Sequence, residues 1–121
     1  MYSFKRKIGN SAEDLALNYL LAKKLKLIKR NYLTKLGEID IIMTDKDTLV
    51  FIEVRFKKSN NFGFAFETIN KAKQDRIIKT AQHFLQNNSK YKNFICRFDV
   101  ININYNLKYN NVDWIIDAFQ V

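Results

Sequence analysis

Apolar positions recur at helical spacing early in the chain. Ala12, Leu15, Ala16, Tyr19 and Leu20 fall on one face, which predicts an amphipathic helix over 10–25. Ser11 is placed to cap it, with Asp14 completing an approximate capping box. Lys23 and Lys24 suit its carboxyl end. A strand is expected over 27–34, then a turn at Leu36-Gly37. Two runs rich in Ile, Val and Phe follow, 38–44 and 48–56. The polar Asp45-Lys46-Asp47 between them reads as a hairpin turn. A looser stretch, 57–67, carries Phe62, Phe64 and Phe66. A second helix is expected over 69–85. Ile77, Ile78, Ala81, Phe84 and Leu85 form its apolar face, and Lys73, Arg76, Lys79 and His83 form a basic stripe beside it. Two further strands, 94–104 and 112–119, are joined by an Asn-rich loop.

The order is αβββαββ. Short connections favour an antiparallel meander for the first three strands. The longer excursion through the second helix permits a crossover to a parallel fourth strand. The expected fold is α/β: a single domain, 1–121, with a mixed sheet of about five strands flanked by helices. At 121 residues the chain is long enough for one such core. No apolar run approaches the ~18 residues that cross a bilayer. The basic amino terminus lacks the apolar stretch of a signal peptide. A cytoplasmic location with no membrane association is therefore expected. The chain has one cysteine, Cys96, and one histidine, His83. An internal disulfide and a cysteine-rich zinc site are thereby excluded.

Lys and Arg number 21 against 12 Asp and Glu, a net charge of +9. Binding to a polyanion explains such a charge. So does compositional drift, because the chain is heavy in Lys, Asn, Ile, Phe and Tyr, all encoded by AT-rich codons. The charge alone does not decide between them.

The chemistry is concentrated in Glu38-Ile39-Asp40-Ile41-Ile42 and Val50-Phe51-Ile52-Glu53-Val54-Arg55. Asp40 and Glu53 interrupt β-forming runs, where carboxylates are disfavoured and costly unless paired or metal-bound. A turn centred between Lys46 and Asp47 sets Asp40 opposite Glu53 and Glu38 opposite Arg55, all on one face. Lys57 continues along that side. Two carboxylates ~4 Å apart repel by about 4 kcal/mol at an effective dielectric of ~20. Protonation, solvent or a bound cation relieves this. Oxygen donors on a rigid sheet suit Mg²⁺ or Mn²⁺, which can acidify a bound water and polarise a phosphoryl oxygen. The structural alternative is a solvated sheet face with an ordinary Glu38–Arg55 pair.

Other residues read as structural. His83 is expected at the surface. Cys96 is expected to be a buried, inert thiol. Arg97 and Asp99 share a strand face as an ion pair, and Trp114 reads as core. Phe62, Phe64 and Phe66 are expected to pack beneath a loop, with stacking on unpaired bases as the alternative. Lys5-Arg6-Lys7, Arg55-Lys57-Lys58 and Lys71-Lys73-Arg76-Lys79 could line a phosphate track.

Taken together, the motifs resemble the YraN family of small bacterial proteins, within the PD-(D/E)xK nuclease-like superfamily. The likeness rests on Gly37-Glu38-Ile39-Asp40 followed by Phe51-Ile52-Glu53-Val54-Arg55. It extends to Gly9, Glu13, Ala16, Asn31, Phe62-Gly63, Lys73, Arg97-Phe98-Asp99-Val100 and Ala118-Phe119. The resemblance implies a core similar to restriction endonucleases and Holliday-junction resolvases. It implies Asp40 and Glu53 as ligands of Mg²⁺ or Mn²⁺, the Val54 carbonyl as a third, and Glu13 approaching from the first helix. Arg55 stands where the superfamily motif has lysine, and it cannot act as a base. Lys57 or Lys73 could substitute. Lys57, Lys58, Arg76 and Lys79 would contact nucleic acid, DNA in the first instance. The chain would act as a monomer or homodimer. The alternative is a non-catalytic nucleic-acid-binding module on the same fold.

Overall fold

The computed structural model describes the backbone of residues 4–58, 68–105 and 110–121, and the side chains of 11–57, 68–104 and 111–121. The elements are α1 (Phe4–Ala22), β1 (Lys26–Thr34), β2 (Gly37–Asp45), β3 (Thr48–Lys58), α2 (Lys71–Asn87), a 3₁₀ turn (Ser89–Tyr91), β4 (Ile95–Tyr105) and β5 (Asn110–Phe119). The expected order holds. Phe62, Gly63, Phe64 and Phe66 lie outside the described residues, as do the side chains of Lys5, Arg6, Lys7 and Lys58.

α1 starts at Phe4, so Ser11 lies within the helix and does not cap it. Three cations and Gly9 break the apolar period there, which hid the first turns. At the other end Lys24 takes the left-handed conformation, at φ 76°. Leu25 N–H then donates to the Leu20 carbonyl at 3.2 Å and Lys24 N–H to that of Leu21 at 3.0 Å. This closes the helix and returns buried Leu25 onto Leu20. α2 is capped by Asn70, whose side chain accepts from Lys73 N–H at 2.8 Å.

The sheet runs β1-β2-β3-β4-β5. β3 and β4 are parallel, joined through α2, and the other pairs are antiparallel. The hairpin register is the expected one, from Asp45↔Thr48 to Ile41↔Ile52, about a turn at Lys46 and Asp47. Lys46 supplies the positive φ, 56°, that such a tight turn needs.

Each face of the sheet carries one helix. Ala12, Ala16, Leu17 and Leu20 of α1 cover Ile41, Met43, Val50, Ile52, Ile101 and Ile103. Ile77, Ile78, Ala81 and Phe84 of α2 cover Ile42, Leu49, Phe51, Phe98 and Val100. Each such large side chain contributes about 1.5–3 kcal/mol by leaving water. α2 sits close over the start of β2. A Cβ on Gly37 would come 3.0 Å from Thr80 Oγ1 and 3.4 Å from Arg76 Cβ. Glycine alone fits that contact comfortably, and its φ of 155° also disfavours other residues.

A second polar centre lies between β4 and β5. Asp99 is fully buried. It accepts from Arg97 Nε at 3.0 Å, Trp114 Nε1 at 2.9 Å and Asp117 N–H at 2.9 Å. Arg97 also reaches Asp45 at 3.1 Å. The expected Arg97–Asp99 pair is thus structural. Trp114 is half-buried rather than fully core, packed on the α1-side cluster. The ladder is irregular here: Phe98 pairs with Phe119 but Val100 with Ile115, so Asp99 alone stands against Ile116, Asp117 and Ala118.

Cys96 is half-buried, with Sγ 3.7 Å from the Phe94 carbonyl. His83 departs from expectation. It is half-buried, with Nδ1 2.6 Å from Tyr32 Oη, because β1 reaches the flank of α2. Among the described residues no helix is long and apolar enough to cross a membrane.

Candidate functional site

The β2–β3 ladder stops at Ile41 and Ile52. One residue further on, Asp40 Oδ2 accepts from the backbone N–H of Val54 at 2.8 Å. A side chain thus serves a donor that would otherwise pair with β2 backbone. The alternation of β2 also breaks at this point. Ile41 and Met43 face α1, whereas Ile39 joins Ile42 in the cluster under α2. On the other side of β2, Arg30 pairs with Ile41 and Tyr32 with Ile39. Asn31, between them, has φ 53°, a conformation that Asn tolerates better than most residues.

Four carboxylates gather around this break. Asp40 and Glu53 line a pocket of about 200 Å³ with Gly37, Glu38, Lys73, Arg76 and Ile77. Glu53 is only 8% exposed and meets Lys73 Nζ at 2.8 Å. Asn31, with its amide nitrogen turned to the acids, donates to Glu13 Oε1 at 2.9 Å and to Glu38 Oε1 at 3.3 Å. Arg30 approaches Glu13 at 3.9 Å and Asp14 at 2.8 Å.

The electrostatics follow from burial and crowding. Burial first, then the charge of Glu53, pushes Asp40 up to about 8, against the opposing Val54 N–H. Burial also raises Glu53, although the Lys73 hydrogen bond and charge pull the other way. Glu13 is raised by burial, with Arg30 opposing and Glu38 adding to the rise. The pocket therefore disfavours full ionisation of its carboxylates, chiefly through burial and secondly through their mutual repulsion. A proton or a divalent cation corrects this.

The structure brings Asp40, Glu53, Lys73 and Arg76 to one pocket. Arg55 lies on the same face of β3 as Glu53 and lowers its carboxyl pKa electrostatically. Lys57 follows on that face. Val54 enters through its N–H. Glu13 reaches the cluster from α1 through Asn31. Lys79 is exposed on α2 and is not among the residues lining the pocket. The Glu38–Arg55 juxtaposition changes, because the ladder that would set them opposite ends before reaching them. Glu38 instead faces Asn31 and lines the pocket. The sequence placed Glu38 beside Asp40 and Glu53 but as the partner of Arg55; its contact with Asn31, and the bridging role of Asn31, were not anticipated. An Asn inside a strand opposite an acidic motif was the one available signal, since Asn marks positive φ.

The donor set is chemically suited to a hard cation. All the acidic groups offer oxygen, and two of them are held together against their repulsion. Among the described residues no three His, Cys, Asp or Glu side chains form a ready-made cage. Mg²⁺ commonly takes one or two protein carboxylates and keeps several waters. Asp40 and Glu53 fit that habit.

Residues 12–103 match the model of the uncharacterised protein family UPF0102. The chain is 49% identical over 113 residues to a UPF0102 protein of Nitrosococcus oceani, covering 93% of this chain and 91% of the relative. It is 46% identical to one from Saccharophagus degradans, covering 93% and 92%. A Coxiella burnetii relative is 40% identical over 121 residues, covering 100% and 98%.

Proposed function

The chain belongs to the uncharacterised UPF0102 family, of YraN-like bacterial proteins, and from the geometry of its acidic pocket we propose that it is a divalent-metal-dependent nuclease acting on DNA in the cytoplasm. The observation that carries this is the pairing of Asp40 and Glu53 beside Lys73 at the end of the β2–β3 ladder. The arrangement supports a place in the PD-(D/E)xK superfamily. Asp40 and Glu53 would hold Mg²⁺ or Mn²⁺, with the Val54 carbonyl as a further ligand. The ion, when bound, would acidify a water and offset charge on the scissile phosphate.

The chain's own residues supply the rest. Lys73 reaches Glu53 from α2, and so brings an ammonium where the strand itself offers Arg55. The Arg55 guanidinium offers donors that stabilise charge and is no general base. Arg76 lines the pocket beside Lys73. Lys57 and Lys79 extend positive charge along β3 and α2 for flanking phosphates.

The experiment is cleavage of labelled single-stranded, branched and duplex DNA with Mg²⁺ or Mn²⁺, alongside Asp40→Asn and Glu53→Gln. The parent should cut and both variants should not. Variants that cut as fast as the parent would refute the assignment.

A second reading is a binding module that keeps the fold without catalysis. The Lys73–Glu53 ion pair favours it, because an ammonium already neutralises one of the two carboxylates. It requires salt-sensitive DNA binding that survives both substitutions and needs no metal.

A further inference from the structure

Asn31 stands where three elements meet. Its neighbours in β1 pair regularly with β2, Arg30 with Ile41 and Tyr32 with Ile39, and the register skips Asn31 and Asp40 between them. Both residues leave ladder geometry at the same level of the sheet. Asp40 accepts there from Val54 N–H of β3. Asn31 takes a positive φ of 53°. A left-handed residue departs from the extended backbone of its neighbours and from their alternation.

The carboxamide of Asn31 lies between two acids from different elements. Its nitrogen donates to Glu13 Oε1 of α1 at 2.9 Å and to Glu38 Oε1 of β2 at 3.3 Å. Ionised carboxylates only accept, so the nitrogen and not the oxygen of the amide faces them. Glu13 is mostly buried, its side chain 15% exposed, whereas Asn31 and Glu38 are exposed at the rim. Both acids lie within electrostatic reach of Asp40, whose carboxyl each of them raises. A lysine or arginine in place of Asn31 would cancel their charge, and an acid would repel them. A neutral donor holds two carboxylates in place and leaves their charge to act on a cation nearby.

We propose that Asn31 is a positioning residue of the metal site: its carboxamide holds Glu13 and Glu38 where their charge supports a divalent ion at Asp40 and Glu53. The inference rests on the metal-dependent reading of the pocket. It adds a role for a side chain that is not itself a ligand, and a reason for a left-handed residue in the middle of β1.

Glycine adopts a φ of this sign freely, so Asn31→Gly removes the amide without straining β1. Isothermal titration calorimetry with Mn²⁺, without DNA, reads the effect. Asn31→Gly should bind Mn²⁺ ~10–100-fold more weakly than the parent, the usual scale of losing a group that orients the acids around a metal. Its metal-free melting temperature should move by no more than ~4 °C, because the position is exposed. Asn31→His tolerates the same backbone and keeps an N–H, and should recover part of the affinity. Added to Glu13→Ala with Glu38→Ala, Asn31→Gly should change affinity by at most ~2-fold, since nothing is left to position.

Parental affinity in Asn31→Gly overturns the proposal. So does a loss that persists undiminished when both acids are gone. A weaker affinity that comes with a large fall in melting temperature in both Asn31→Gly and Asn31→His assigns Asn31 to folding and overturns it as well. DNA cleavage by the same proteins separates this inference from the nuclease reading. A parent that binds Mn²⁺ through Asn31 and never cuts loses the nuclease reading alone. A parent that binds and cuts, matched in both by Asn31→Gly, loses the role of Asn31 alone. A parent that takes up no Mn²⁺ loses both.

Discussion

Lys73 of α2 places its ammonium 2.8 Å from Glu53 of β3, a carboxylate only 8% exposed. The crossover between β3 and β4 thus returns a cation to the strand it has just left. Removing it strands a nearly buried negative charge beside Asp40. Lys73→Met should lower the DNA cleavage rate by roughly 10²–10³, the scale of losing one preorganised charge donor. Lys73→Arg should recover part of it. Single-turnover kinetics check both, and a rate unchanged in Lys73→Met would take Lys73 out of the site.

Asp40 carries a stability cost when no cation is present. Its carboxyl is raised from 3.8 to about 8 by burial and Glu53. An acid whose pKa rises on folding favours the fold in its protonated form. The favourable contribution is complete below the unfolded pKa and disappears as pH climbs through about 8. Metal-free parent protein should therefore melt at progressively lower temperature between pH 4 and 9. Asp40→Asn should flatten that slope and melt about 3–6 °C higher at pH 8. Scanning calorimetry in chelator measures both.

Divalent metal should reverse the order. At 100 times its dissociation constant, Mn²⁺ should stabilise the parent by about 2.7 kcal/mol and leave Asp40→Asn unmoved. The same thermal shift in both proteins would show that the ion binds elsewhere.

Gly37 is expected to be intolerant of a side chain. Gly37→Ala drives a Cβ to 3.0 Å from Thr80 Oγ1 and holds Ala at φ 155°. Urea unfolding should show a loss of about 1–3 kcal/mol. Adding Thr80→Ala should restore only part of it, because the backbone conformation stays strained.

Asp99 should matter for folding and not for chemistry. Asp99→Ala leaves Arg97 without its buried partner and frees Trp114 Nε1 and Asp117 N–H. A loss of about 3–5 kcal/mol is expected, with a change in Trp114 fluorescence. DNA cleavage at a permissive temperature should persist.

Much of this architecture was legible before any coordinates. The polar Asp45-Lys46-Asp47 turn sets the β2–β3 register, because a hairpin's turn dictates which residues oppose one another. The crossover followed from the helical period of α2. Lys73 stood out as a charge at the boundary of that helix's apolar face. What stayed hidden was non-local. Strand alternation cannot announce that Asp40 will bond Val54 N–H, that the ladder will stop there, or that Ile39 will change sides. Nor does it show Asn31 joining Glu13 to Glu38, since those residues come from three separate elements. The start of α1 was missed for a local reason, the glycine and cations that mask its period.

The irregular stretch of β5 facing Asp99 bears on a pocket of about 230 Å³ that β5 shares with Arg55 and Asn102. Ile115, Ala118 and Phe119 form part of that pocket's wall, and the residues from Ile116 to Ala118 have no one-to-one partners across the sheet. Ile115 and Phe119 are held by the ladder opposite Val100 and Phe98, so Ala118 alone of the three is placed by the irregular stretch, beside the Asp117 N–H that donates to Asp99. Changes around Asp99 would move Ala118 and the end of β5 without disturbing Asp40 and Glu53 on β2 and β3.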